Sequence, residues 1–344
     1  MKNYISLFLS MLFFAALQAQ DVDMKPIAVS FTRLPENPLP FEYKTYTVKV
    51  DAKPGILGRL NKSLVDIANY FHLNRYEAVA EGADFTIEVF INDMAVWSEK
   101  VESQTSTTKD KAGNEVLKTE YYKEVTYTMH TSYQLLDKQG EALGKSVPIS
   151  QGFESCRSAA FISTYQLEKY WAAERETTIN NHVIGVYNKD IGQMLSNIRK
   201  KIDLTPMNNL EDEIEVIGGK SEAAAYYLDA YNTVKAAFAR LKPNEPVDEV
   251  KRALQPAIEF YQAESAKYSA TDKKQYKWLH VCLYNLALIH YWLDDITLAE
   301  QYANECQKID WMNNRTEKLL KEIDELRQAF ELTGFLDRHP AMNM

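Results

Sequence analysis

The sequence predicts an α+β protein: a mixed α/β domain with a long antiparallel hairpin, followed by an all-helical domain of paired helices. Three observations predict it. The hydrophobic period is two along much of residues 20–203, and about 3.6 from residue 221 onward. Between them, DLTPMNNLEDEIEVIGGK, residues 203–220, follows neither period. The length of 344 residues also exceeds the roughly 250–300 at which a single core stops growing. The expected divisions are a leader over 1–19, a mixed domain over 20–203, a linker over 204–220 and a helical domain over 221–344.

The chain opens MKNYISLFLSMLFFAALQAQD. Lys2 is a short positive region, Ile5 to Leu17 is an apolar run broken only by Ser6 and Ser10, and small Ala19 precedes Gln20. This reads as a secretory signal peptide, shorter than the roughly 20 apolar residues that span a bilayer. No Cys follows the apolar run, so no lipid anchor is expected. The expected address is outside the cytoplasm, in a Gram-negative periplasm or at the cell surface. Export would allow oxidation of the three cysteines, Cys156, Cys282 and Cys306. Antiparallel helices could bring Cys282 to Cys306 as a disulfide, or both could be small buried packing residues; the two readings stay open.

Pro26–Arg33 is a short apolar segment, and KTYTVKV places Tyr46, Val48 and Val50 on one face. Ile56, Leu57, Leu60, Leu64, Ile67 and Phe71 recur at helical spacing. Phe85, Ile87, Val89 and Ile91 alternate with polar residues, as in a strand with one buried face. The clearest alternation runs over Thr119–Leu135, with Tyr121, Val125, Tyr127, Met129, Tyr133 and Leu135 on one side. With the turn signal KDKAGNEV before it, Ala95–Leu135 reads as one long hairpin. DKQGE makes a second turn, Lys145–Glu154 a further strand, and Thr177–Ile202 a helix following Ser163–Trp171. The acidic residues of 203–220 lack the ligand spacing of a calcium loop and read as a solvated linker. Beyond it, Ala223 to Phe238 and Val250 to Tyr261 each carry an apolar helical stripe, separated by Pro243 and Pro246.

The segment LYNLALIHYWLDDITLAEQYANECQKIDW, residues 283–311, resembles a tetratricopeptide repeat. Leu286 and Ala287 match the leucine-plus-small pair of the first helix, and His290 stands where the family prefers an aromatic. Asp294–Asp295 takes the turn, Ala299 is the small residue of the second helix, and Tyr302 follows. Cys306 replaces a late alanine and Trp311 the terminal proline. Stacked pairs need a shielding end helix, which suits Asn314–Leu332 before Gly334. The resemblance implies protein or peptide binding on the concave surface of the first helix, at Tyr284, Leu288 and Tyr291 with Trp292 at the edge; alternatively these rings pack against the neighbouring helix or the N-terminal domain. The order of elements in the N-terminal half resembles the mixed α/β domain of curli-export-type periplasmic proteins.

The rest of the chemistry is sparse. His72, His130, His182, His280, His290 and His339 form no ligand spacing, and the sequence lacks HExxH, GxSxG, a P-loop and a dinucleotide fingerprint. Cys156 with His182 is a conceivable thiol pair, though FESCR reads as a packed strand. No catalytic residue, metal or cofactor is expected. The net charge of −9, acidic in both halves, offers no basic pole for nucleic acid. The expected function is a non-catalytic interaction or envelope-assembly module with a protein or peptide partner. Its rivals are a glycan-binding module, suggested by 21 Tyr and 5 Trp, and a hydrolase using a carboxylate pair.

Overall fold

The first described element, β1 (Val22–Arg33), pairs with a strand from far along the chain. The computed structural model describes residues 22–339 save Asp93, Asp110, Asn244 and Asp310; the expected leader over 1–19 lies outside them. The protein is α+β and forms two compact units, residues 39–203 and the residues to Pro38 together with those from Leu204 on.

In the unit 39–203, β2 (Thr45–Ala52) leads into α1 (Pro54–Leu60) and α2 (Leu64–Ala68). One helix was expected over Ile56–Phe71, but the chain breaks it. Asn61 takes the left-handed conformation at the end of α1, φ 49°, and Ser63 and Asp66 form a capping box that starts α2. After β3 (Glu77–Ala78) comes β4 (Phe85–Ile91), whose alternating burial follows its alternating sequence. Phe85 sits among the rings of Tyr43, Tyr46 and Tyr76.

The long hairpin is present: β5 (Ala95–Lys109) pairs antiparallel with β6 (Glu115–Thr128). It ends earlier than expected, because β7 (Thr131–Asp137) leaves it at Met129–His130 and joins β4 instead. Thr131 donates to the carboxylate of Asp190 at 2.6 Å, both buried, just past this step. The expected strand Lys145–Glu154 is likewise two, β8 (Val147–Ser150) and β9 (Phe153–Arg157), turned by Gly152 at φ 107°. The sheets run β3-β2-β4-β7-β8 and β5-β6-β9. A single helix, α3 (Thr164–Ile202), packs along β6, β7 and β8. It buries Trp171, Ile179, Val183, Tyr187, Ile191, Met194 and Ile198 at helical spacing.

The other unit corrects the expected linker. Thr205–Ile217 is a strand, β10, paired antiparallel with β1 from Val22↔Ile217 to Arg33↔Thr205. Its acidic middle is largely exposed while Ile214, Val216 and Ile217 are buried, so the wet half of a strand carries the polar composition of a solvated turn. The expected mixed domain therefore loses β1, which belongs with the helices. Pro26 has no N–H to give; its carbonyl accepts from Tyr231 at 3.0 Å, on the side of β1 facing away from β10. Five helices follow: α4 (Glu222–Phe238), α5 (Asp248–Ser265), α6 (Tyr276–Trp292), α7 (Ile296–Gln307) and α8 (Asn313–Thr333). Each packs against the next, the repeating helix–helix arrangement of a tetratricopeptide-like stack. Ala299 and Ala303, both fully buried, let α7 approach α6 closely. Gly334 ends α8 at φ 71°.

Candidate functional site

Helix α6 is apolar all round and almost every residue from Leu279 to Trp292 is buried, as a helix covered on all sides must be. One polar side chain in its middle, Asn285, is fully buried. Its amide accepts from the Glu215 N–H at 3.0 Å and donates to the Glu215 carbonyl at 2.7 Å. Two turns further on, the Trp292 indole donates to Asp212 at 2.7 Å. The spacings match: seven residues of helix rise about 10.5 Å, and three residues of strand about 10 Å. The first helix of the repeat thus holds an extended segment, and that segment is the chain's own β10. Asn285 also caps the edge of β10 that β1 leaves unpaired.

The four residues expected on the concave surface are placed differently from one another. Tyr284 and Leu288 are buried, but they border a cavity of about 290 Å³ with Asp212, Glu213, Arg315, Lys318, Leu319 and Glu322. Tyr291 and buried Trp292 lie under the guanidinium of Arg338, at 4.7 and 4.8 Å. The tail past α8 brings Arg338 there. Thus the tail residue Arg338 covers this helix face at Tyr291 and Trp292, and at Tyr284 and Leu288 the face borders a charged pocket.

Arg315 organises that pocket. It donates to the Tyr284 hydroxyl and the Glu213 carbonyl, both at 3.3 Å, and its guanidinium stands 5.0 Å over the Tyr284 ring. Burial pushes the Tyr284 phenol up to about 12 against the opposing pull of Arg315. Burial also raises the Glu322 carboxyl, with Lys318 opposing it at 3.4 Å.

Inside the same unit, the Glu215 carboxylate is fully buried, 3.6 Å from His280 Nε2 and 3.9 Å from Arg315 Nε. His280 Nδ1 lies 3.2 Å from Cys306 Sγ. Cys306, His280 and Glu215 thus stand in the order thiol, imidazole, carboxylate. A reactive thiol needs a lowered pKa and access, whereas Cys306 is enclosed and burial pushes it up to about 12. The sequence reading missed Glu215, His280 and Arg315 because no local spacing joins them; Asn285, a lone amide in LYNLALIHYW, was the visible signal.

The other cysteine expectations resolve simply. Cys282 and Cys306 are free and buried, not bridged; the Tyr227 hydroxyl lies 3.3 Å from Cys282 Sγ. His182 Nε2 hydrogen-bonds the Tyr127 hydroxyl at 2.8 Å, and burial raises the Cys156 thiol within β9. Among the described residues no group of three or more His, Cys, Asp or Glu could hold a metal ion, and no helix is long and apolar enough to cross a membrane.

Two histidines of this unit make stability pH-dependent. Burial holds His290 below the usual 6.5 against Asp295, with Lys251 adding to the depression. Burial likewise lowers His339, whose Nδ1–H donates to the Lys242 carbonyl at 2.9 Å and which faces Asp294, Asp337 and Arg338. Below about pH 6.5 the unfolded chain takes up these protons first, so stability falls with falling pH, by at most about 1.4 kcal/mol per pH unit for each histidine. Thermal melts from pH 7.5 to 5.5 should decline, and less steeply in His339→Gln. A flat profile would contradict the burial of these rings.

In the unit 39–203, two features open to solvent. An apolar groove of about 580 Å³ runs beside β2 and α2, lined by Val48, Val65, Ala68 and Val79 among others. Trp97 and Phe153, 74% and 60% exposed, pair with ring centroids 5.3 Å apart on β5 and β9.

No protein-family model matches the chain, and no curated protein matches it significantly. Among solved structures, a minor lipoprotein from Acinetobacter baumannii is similar at 12% identity and TM-score 0.22, over 49% of this chain and 98% of that one. A putative neuraminyllactose-binding hemagglutinin homolog from Helicobacter pylori is similar at 9% identity and TM-score 0.23, over 48% and 96%. An uncharacterized lipoprotein B from Nitrosomonas europaea is similar at 16% identity and TM-score 0.21, over 48% and 88%. TM-scores this low assign neither a fold nor a function.

Proposed function

We propose that the protein is an exported, non-catalytic protein-binding module of the cell envelope, with its tetratricopeptide-like helices as the scaffold. The export reading rests on the leader-like residues 1–19. One observation carries the binding reading: α6 holds extended main chain through Asn285 and leaves beside it a pocket of about 290 Å³ with charges of both signs at its rim. A partner segment with charged side chains fits Arg315 and Lys318 on one hand, and Asp212, Glu213 and Glu322 on the other. The test is a photo-crosslinking residue at Lys318 or Glu322 in cells exporting the full chain, with Arg252 on exposed α5 surface as control. A discrete adduct with one envelope protein is expected from the rim positions and not from the control. Equal or absent adducts would sink the assignment.

A second reading, glycan binding, is favoured by the exposed Trp97–Phe153 pair, since aromatic faces stack on sugar rings. Retardation of the full chain in polysaccharide gels, lost in Trp97→Ala, together with no adduct at the rim, would move the assignment there.

A further inference from the structure

The outer edge of β2 is open. The Lys44 and Tyr46 carbonyls accept from the Glu77 and Val79 amides at 2.9 and 2.8 Å, so even-numbered residues of β2 direct their main chain to this edge. Odd-numbered ones face β4: the Thr45 carbonyl accepts from the Asp84 amide and the Lys53 amide donates to the Ile91 carbonyl. By the alternation of an unbulged strand, Val48 and Val50 present N–H and C=O outward. The covering strand β3 pairs only with Thr45 and Tyr46, and among the described residues no strand continues it. Proteins commonly blunt such edges with charged side chains, proline, a bulge or a cover. β10 has its cover in Asn285; β2 beyond Tyr46 has neither proline nor bulge. Its charges, exposed Lys49 and Asp51, alternate with Val48 and Val50 and so stand on the other face of the strand.

We propose that this edge is a docking site for an extended peptide segment of a partner protein, added to the sheet as a strand. This reading stands apart from the pocket beside α6 and does not depend on it. The chemistry of the groove selects the occupant. Val48, Val65, Ala68 and Val79 make an apolar lining, with Thr47, Asn69 and His72 beside them and no carboxylate, Lys or Arg. The incoming strand therefore carries small or β-branched apolar side chains on alternate positions facing the groove. Leu64, Val65 and Tyr70 on and just after α2 remain exposed beside it, ready to cover such side chains. A helix has no free main-chain groups along its length to offer the edge. The groove beside this edge is bounded by α2 residues Val65 and Ala68 and by Ala78–Ala80, a width that suits one strand rather than the edge of a second copy carrying its own α2. Strand addition uses both resources here, main-chain bonds for affinity and side-chain pockets for selection.

The probe is a blocked, fluorescein-labelled peptide, KVTVTVTK, titrated against the full chain by fluorescence anisotropy. Two further versions carry N-methyl groups, one on its valines and one on its threonines. A strand added at one edge uses the amides of one set only. One methylated version should bind about tenfold or more weaker while the other stays within about twofold. Val48→Pro removes one outward N–H and leaves the β4 side paired, and should weaken binding by about tenfold. Val65→Arg, which leaves the strand untouched at a site 65% exposed, should do the same if Val48→Pro fails to fold. Equal binding of both methylated peptides means side-chain adhesion and overturns the proposal. So does the absence of saturable binding up to about 1 mM. A dimer in sedimentation that becomes monomeric in Val65→Arg would give the edge to a second copy instead.

Discussion

Arg338→Ala is expected to lower the unfolding free energy of the helical unit by about 3–5 kcal/mol, the usual cost of breaking a buried ion pair from one side. Arg338 and Asp294 side chains are 4% and 2% exposed and meet at 2.6 Å. The same guanidinium donates to the Tyr291 carbonyl at 2.6 Å and covers the rings of Phe31, Tyr291 and Trp292. The Arg338 main chain adds a bond at each end, its N–H to Asp294 at 2.7 Å and its carbonyl to the Thr32 amide at 2.8 Å. Alanine keeps those two bonds, leaves the buried Asp294 carboxylate without its guanidinium and uncovers three aromatic faces. Arg338→Lys should fall between, since an ammonium keeps the charge but loses the planar fork and the stacking. Asp294 has φ 61°, a conformation asparagine tolerates, so Asp294→Asn removes the charge without straining the turn. Adding it to Arg338→Ala should recover part of the loss, because the buried charge is gone. Urea melts of the four proteins measure this; a loss below about 1 kcal/mol in Arg338→Ala would mean that the pair is hydrated and the tail only rests there.

What could be read from the residues, and what could not, follows the range of the interactions involved. β4 was legible because Phe85, Ile87, Val89 and Ile91 alternate within one strand. The alternation over Thr119–Leu135 was equally legible, yet it runs unbroken through Met129–His130, where the chain changes sheets. A period reports which face is buried, not which neighbour buries it. The break between α1 and α2 was written locally, in Asn61 and in Ser63 with Asp66, but the apolar spacing on both sides is continuous and outvoted it. β10 was hidden for another reason: its long-range partner β1 supplies the pairing, and its own buried run is confined to Ile214–Ile217. The surroundings of the candidate site were illegible for the same reason. Tyr284, Leu288, Tyr291 and Trp292 share a helix face that local spacing shows, whereas β10 and the tail residue Arg338, both remote in sequence, decide what lies against it.

Asn285→Ala is expected to cost about 2–6 kcal/mol and to loosen β10 selectively. The substitution leaves the Glu215 N–H and C=O buried without their partner, and each such group costs about 1–3 kcal/mol. Glu215 is fully buried, as is Asn285, so water cannot simply replace the amide. Asn285→Asp should be no better than alanine. It keeps an acceptor for the Glu215 N–H but gives up the donor to its carbonyl. It also sets a second buried carboxylate beside that of Glu215. Trp292→Phe removes the bond to Asp212 together with part of a buried ring and should cost about 2 kcal/mol, but it leaves the Glu215 main chain paired. Hydrogen exchange separates a local latch from a general loss of packing. In Asn285→Ala the Glu215 amide should exchange faster, about tenfold for each 1.4 kcal/mol lost, with the amides in the middle of α4 and α8 much less affected. Uniform acceleration through the unit would make Asn285 a packing residue like its neighbours. Unchanged exchange at Glu215 would show that β10 is held by β1 alone and that α6 does not grip it.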